Sequence, residues 1–215
     1  MLLNFEVKNY KSFLDTVEFS MVPAPKQHGL DYSILTEKVK RKSIKGLCSS
    51  VIYGPNASGK TNIIGAMDTL RSIVLRGNIR NAEDQNTPNK AAYNLELIPN
   101  NISDEVEPVI FKIEFVENSM KFTYELGMLL GVFLDDTFHR RITHESLHIN
   151  DELVFCREED VEFGDFKQIR DFVTPQMTSN RKTMKEVVRQ SLTEDELFLT
   201  NGFKLLVSQM VVRWV

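Results

Sequence analysis

Cysteine is scarce: Cys48 and Cys156 are the only two in 215 residues. Two such isolated thiols make neither a disulfide framework nor a metal-ligand pattern, so the chain reads as a reduced, cytoplasmic protein. Apolar runs are short, and none approaches the roughly 20 residues that a membrane helix needs. The N-terminus, Met1-Leu2-Leu3-Asn4-Phe5-Glu6, meets charge too early for a secretory leader. Positive charge is not in excess either. A net charge of −4 gives no global field toward nucleic acid and leaves room only for a local basic face. The chain has no internal repeat, no low-complexity tract, no G-x-S-x-G nucleophile motif and no paired acids of a hydrolase dyad. His139, His144 and His148 lack a Cys or carboxylate spacing of metal-site quality and read as surface or strand positions. What remains is ordinary globular composition, 42% hydrophobic and 26% charged, enough for one large domain or two small ones.

One stretch stands out from that background. Gly54-Pro55-Asn56-Ala57-Ser58-Gly59-Lys60-Thr61 fits the phosphate-binding pattern G-x-x-x-x-G-K-[ST] at every constrained position. The β-prone Cys48-Ser49-Ser50-Val51-Ile52-Tyr53 precedes it, and the helical pattern Asn62-Ile63-Ile64-Gly65-Ala66-Met67 follows. Strand, glycine loop and helix are the context in which the motif counts. Gly54 and Gly59 let the backbone approach an anion with no Cβ in the way. Successive N–H groups then form a nest for phosphate oxygens, and the N-terminus of the helix adds its positive dipole end. Lys60 is the candidate catalytic residue, a point charge for the outer phosphates, and the Thr61 hydroxyl is the candidate magnesium ligand. The expected cofactors are ATP and Mg2+.

The rest of the chain places this loop. Leu3, Phe5 and Val7 alternate with polar residues as a half-buried strand, and residues 16–21 form its hairpin partner, ended by Pro23 and Pro25. Residues 26–37 read as a loop or irregular edge. Lys38, Lys40, Arg41, Lys42 and Lys45 form a basic cluster. It suits either a phosphate backbone or a solvated edge, and the lack of interleaved aromatics favours the edge. After the loop, Ile63, Met67, Leu70 and Val74 make one buried helical stripe with Gly77 as its stop. Asp68 and Arg71 read as a surface pair. Residues 77–90 are a polar loop. From Ala91 to Phe163 the period is two, with turn signals between segments, which predicts an antiparallel meander. After Pro175 the pattern is helical again: Met184, Val187, Val188 and Leu192 share a face, Thr193-Glu194-Asp195-Glu196 has capping-box form, and residues 203–215 read as a last helix. Its uncapped apolar end suggests the front part of a longer protein or a docking end. The fold class is therefore α/β, a P-loop NTPase core with an antiparallel β subdomain and C-terminal helices. Residues 1–163 are the expected lobe and 164–215 the expected helical segment.

Hydrolysis calls for a second magnesium-holding acid after an apolar strand. Met128-Leu129-Leu130-Gly131-Val132-Phe133-Leu134-Asp135-Asp136 has that outline, with Asp135 or Asp136 as the acid. Its position inside the antiparallel block favours a meander strand and turn instead.

Here the residues meet a family. Asn9-Tyr10-Lys11-Ser12-Phe13 resembles the N-x-[KR]-S-F segment of the SMC/RecF/OLD branch of ABC-type ATPases, and residues 54–62, ending in Asn62, resemble that branch's G-x-N-x-S-G-K-[ST]-N loop. Phe111-Lys112-Ile113-Glu114-Phe115, Phe122-Thr123-Tyr124-Glu125-Leu126, Glu145-Ser146-Leu147 and Leu197-Phe198-Leu199-Thr200 resemble the bacterial AAA family ATP-binding proteins met in phage-defence operons. The resemblance implies an ABC-type head that binds Mg-ATP between two copies, with Lys11 and Ser12 near the nucleotide. It implies ATP-driven homodimerisation and hydrolysis that control a partner activity, an effector protein in a defence setting. The chain shows no signature motif, no switch histidine and no assigned magnesium glutamine; Gln168 and Gln176 are not fixed by any motif. ATPase activity is thus expected of the complete protein. The alternative is a nucleotide-binding regulatory module without autonomous hydrolysis, and a third reading is a P-loop kinase or GTPase using Asp135. The sequence leaves nucleic acid open and points to no membrane.

Overall fold

The computed structural model describes residues 1–25, 29, 31–80, 97–102, 105–132, 137–165 and 181–202. Its centre is one seven-stranded sheet in the order β2-β1-β5-β6-β7-β8-β9, antiparallel at every pairing. The strands are β1 (Leu2–Lys8), β2 (Val17–Ser20), β5 (Val109–Glu117), β6 (Met120–Leu129), β7 (Arg141–Ile149), β8 (Glu152–Arg157) and β9 (Val161–Phe163). A second, two-stranded ladder, β3 (Ile34–Val39) with β4 (Lys42–Leu47), packs on the sheet through Val39 and Ile44 against Leu3 and Val116. Two α-helices complete the described residues, α1 (Lys60–Arg76) and α2 (Arg181–Ser191), with a short π-helix at Phe198–Gly202.

Strict alternation makes the sheet two-faced, because side chains along a strand point to opposite sides in turn. Phe5, Ile113, Tyr124, Leu147, Phe155 and Phe163 stand opposite one another in a row across six strands. Together with Val7, Phe111 and Leu126 they belong to the main core. Ile63, Ala66, Leu70 and Ile73 of α1 are buried in that same core. Side chains of this size stabilise the fold by about 1.5–3 kcal/mol each when fully buried. The opposite face carries a polar row in the same register: Glu18, Glu6, Lys112, Glu125, Ser146, Cys156 and Glu162.

Helix α1 is bounded by two glycines in the left-handed region, Gly59 at φ 86° and Gly77 at φ 76°. The Gly77 N–H closes onto the Ile73 carbonyl at 2.8 Å. Beyond it, Thr200 Oγ1 donates to the Val74 carbonyl, and Leu197 N and Asn201 Nδ2 donate to the Gly77 carbonyl. These bonds satisfy carbonyls that the end of a helix leaves without partners.

Three expectations change here. Residues 34–37, expected in a loop or irregular edge, open the regular strand β3, whose ladder to β4 is in register from Ile34–Leu47 to Val39–Lys42. The basic cluster therefore lies on this hairpin and its turn, where Lys40 pairs with Glu152 at 3.6 Å. Cys48–Tyr53, expected as a strand, is irregular. Val51 and Tyr53 are 69% and 87% exposed, and no described strand runs beside them to supply a ladder. The capping-box residues 193–196 start no α-helix. Glu196 Oε2 accepts the Thr193 N–H at 3.2 Å, but the Thr193 hydroxyl donates to Asp195 Oδ1 at 2.6 Å, and the turn leads into the π-helix. The strands of the opening hairpin and of the meander join in one sheet. Asp135, Asp136, Gln168, Gln176 and residues 203–215 lie outside the described residues.

Candidate functional site

The loop that opens α1 lies on the surface, with residues 51–58 and Thr61 exposed. Two of its residues take positive φ, Ala57 at 63° and Gly59 at 86°. Left-handed residues set among right-handed ones turn successive N–H groups toward one side, which is the backbone geometry of an anion nest. The two glycines of the motif have distinct steric reasons. A Cβ on Gly54 would sit 2.7 Å from Ser58 Oγ, and one on Gly59 would sit 2.8 Å from both Phe13 Cε1 and Ser12 Oγ. Gly59 is thus fixed by its φ and by the close approach of the turn after β1.

That turn is a built platform. Tyr10 N–H donates to the Phe13 carbonyl at 2.8 Å, and Phe13 N–H returns to the Tyr10 carbonyl at 2.9 Å. Asn9 is 2% exposed; its Nδ2 donates to the Glu107 carbonyl and its Oδ1 accepts the Asn100 N–H. The Tyr10 hydroxyl bonds Thr69 Oγ1 at 2.9 Å inside the core, which ties the turn to α1. Asn62 Nδ2 donates to Ser12 Oγ at 2.7 Å, a second tie beside the loop. Of the two residues carried over from the family resemblance, Ser12 stands against the loop. The side chain of Lys11 lies over the Tyr10 ring, 5.0 Å from its centroid, while its backbone N–H and carbonyl hold Ile98 and Asn100.

Lys60, the first residue of α1, folds back across the loop. Its Nζ donates to the Gly54 carbonyl at 2.7 Å and the Pro55 carbonyl at 2.5 Å. The ammonium is thereby centred over the turn formed by residues 54–59. Thr61 is exposed in the first turn of α1, a position compatible with a metal ligand. The arrangement combines backbone donors, a helix N-terminus and one cation on a loop that bulkier residues at 54 or 59 would disrupt. Chemically, it is suited to hold an anionic group of several oxygens.

Sequence reasoning missed two clusters. Glu145 lies on the core face of β7 with no exposure, and its carboxylate accepts N–H groups of Phe198 and Leu199 and the Tyr124 hydroxyl. The signal was present only as two short family-like segments 53 positions apart. His144, read as lacking partners, lies beside Cys156 and Glu158 on the outer face. Its neighbours come from the next strand, so linear spacing does not show them. Both cysteines are free thiols. His139 lies 3.8 Å from Glu194 at an exposed pair. No described helix is long and apolar enough to cross a membrane.

Residues 49–175 match the family model described as "AAA domain, putative AbiEii toxin, Type IV TA system". No curated protein and no solved structure matches the chain.

Proposed function

The chain belongs to that AAA-domain family, and from this premise we propose that residues 54–62 bind Mg-ATP. The observation that carries the reading is the loop itself: Ala57 and Gly59 left-handed, Lys60 across it, and α1 starting directly behind. The backbone N–H groups of residues 56–61 and the Lys60 ammonium hold the phosphates. Thr61 holds the magnesium ion, which neutralises phosphate charge when bound. Ser12 and Asn62 keep the platform and the loop in contact, and Lys11 serves the platform through its backbone. Residues 1–163 form the nucleotide-holding lobe, and 164–215 are a helical segment joined to it.

On this reading the complete protein is an ATPase whose heads pair as a homodimer through their nucleotide sites. Turnover controls a partner protein, and the family description's toxin–antitoxin wording supports a defence setting. Calorimetry with ATP and magnesium tests the binding step. Wild type binds one nucleotide per chain, and Lys60→Ala loses binding while its far-ultraviolet circular dichroism is kept. Equal affinity in both proteins overturns the site. Phosphate release measured across protein concentrations tests the rest. Turnover that rises with dimer formation supports the ATPase. Binding with no turnover at any concentration identifies a nucleotide-binding regulatory module instead.

A further inference from the structure

We propose that His144, Cys156 and Glu158 form a binding site for a borderline divalent metal ion of the zinc class, on the sheet face opposite α1. The three donors come from adjacent elements, His144 from β7, Cys156 from β8 and Glu158 from the turn that follows β8. His144 Nδ1 lies 4.0 Å from Cys156 Sγ and 3.5 Å from Glu158 Oε1, and all three ligand atoms lie within 4.8 Å of one another. Zinc bonds of about 2.0–2.3 Å set tetrahedral ligands about 3.5 Å apart, so only a small inward movement of side chains is needed. Glu158 is 71% exposed and free to make it.

Two independent features fit the same role. Ser146 Oγ lies 3.1 Å from His144 Nε2, so a proton on Nε2 donates outward to the hydroxyl and leaves the Nδ1 lone pair facing Cys156 and Glu158. A hydrogen bond at the far nitrogen is the usual way a metal-binding imidazole is oriented. On the neighbouring strand Gly127 pairs with His144, and a Cβ there would crowd Thr143 Oγ1 at 3.1 Å and stand 3.4 Å from His144 Cβ. The bulge between Gly127 and Met128 breaks the ladder at this point.

The surrounding charge is one-sided. Glu162 is the cross-strand partner of Cys156, and Glu125 is that of Ser146. This acidic surround attracts a dication. One sulfur, one imidazole and one carboxylate suit zinc or cobalt rather than magnesium or calcium, which prefer oxygen alone. Three protein ligands at a half-exposed site leave a fourth position for water or Glu162. Binding releases the thiol proton to solvent.

The test uses the full chain, stripped with chelator and titrated with Co2+, then with Zn2+ in competition. The expected result is a sulfur-to-cobalt charge-transfer band that saturates at one equivalent and is abolished by zinc. Cys156→Ser loses the band, and Cys48→Ser keeps it. Ser146→Ala, which touches no metal, weakens affinity by about tenfold or more. Glu158→Gln, at a position whose side chain is 71% exposed, also weakens it. The proposal is overturned by absence of the band in wild type, by its survival in Cys156→Ser, or by wild-type affinity in both Glu158→Gln and Ser146→Ala. The last result would show metal bound without the ligand and the orienting contact proposed here.

Discussion

Glu145 Oε2 accepts the backbone N–H of Phe198 at 2.7 Å, with both residues fully buried. Oε1 accepts the Leu199 N–H at 2.8 Å and the Tyr124 hydroxyl at 3.0 Å, while Arg157 Nη1 stands 3.9 Å from Oε2. One carboxylate thus holds the first turn of the π-helix to the middle of the sheet. The same segment clasps the end of α1 through Leu197, Thr200 and Asn201. Sheet, π-helix and α1 are linked in series, at the end of α1 opposite the phosphate loop.

Glu145→Gln is nearly isosteric and still destabilises the fold by about 2–3 kcal/mol, because every neighbour of the carboxylate is a donor and an amide nitrogen cannot accept. Glu145→Ala costs about 3–5 kcal/mol by leaving two buried amides and the Tyr124 hydroxyl without their acceptor and by removing the charge beside Arg157. Urea unfolding followed by circular dichroism measures both. A Glu145→Gln midpoint equal to wild type would contradict this role.

Arg80 and Asp195 fasten the same region from outside. The Arg80 guanidinium donates through Nε to Asp195 Oδ2, and through Nη2 to Thr193 Oγ1 at 3.2 Å and Glu196 Oε1 at 3.4 Å. The hydrogen bond from Arg80 is the main cause that holds the Asp195 carboxyl below the usual aspartate range. Its folded value lies under its unfolded one, so ionised Asp195 stabilises the native state above the ordinary value of about 4. That contribution disappears as pH falls through the folded value. Asp195→Asn removes it, so the variant's melting temperature falls less steeply than wild type on acidification. The exposure of Arg80, 53%, makes the difference small and salt-sensitive. Parallel curves for the two proteins would rule the coupling out.

Gly59→Ala meets both a left-handed φ and two atoms at 2.8 Å. The loop must move from Ser12 and Phe13, so nucleotide affinity falls by at least about a hundredfold, the equivalent of 2.7 kcal/mol or more. Gly65→Ala is the control, since nothing lies within 4 Å of its added Cβ. It leaves affinity unchanged and slightly raises helix stability. Calorimetry and thermal melts of the pair separate loop geometry from general damage.

Tyr10→Phe removes the hydroxyl that meets Thr69 Oγ1 in the core. The expected loss is about 1–2 kcal/mol, since Thr69 keeps a buried hydroxyl without this partner. Nucleotide binding weakens less than stability does, because Ser12 and Asn62 hold the loop separately. Double substitution of Tyr10 and Thr69 to Phe and Val recovers part of the loss.

Much of this was legible in the residues themselves. Period-two alternation marked β1 and the meander strands, and burial follows it in β1 at every step from Leu2 to Lys8. The stripe Ile63, Met67, Leu70, Val74 and the stop at Gly77 located α1. Gly54 to Thr61 announced the loop, and only its steric support by Phe13 and Ser12 needed coordinates. Strand β3 was hidden because Ile34-Leu35-Thr36-Glu37-Lys38-Val39 exposes much of both faces, so no clean alternation was selected. Val51-Ile52-Tyr53 misled in the opposite sense, since β-prone residues make a strand only where a ladder partner exists. Glu145 with Phe198, and His144 with Cys156, are set by register and by bulges, which local patterns do not encode.

The Lys60 ammonium already rests on two carbonyl oxygens, those of Gly54 and Pro55. An incoming polyanion therefore engages a cation whose hydrogen-bonding demand is largely met, and recognition there is an exchange rather than a net addition. The attraction that survives is the difference between phosphate and peptide oxygen as acceptors, which is why charge density, more than shape, would govern what displaces the resting contact.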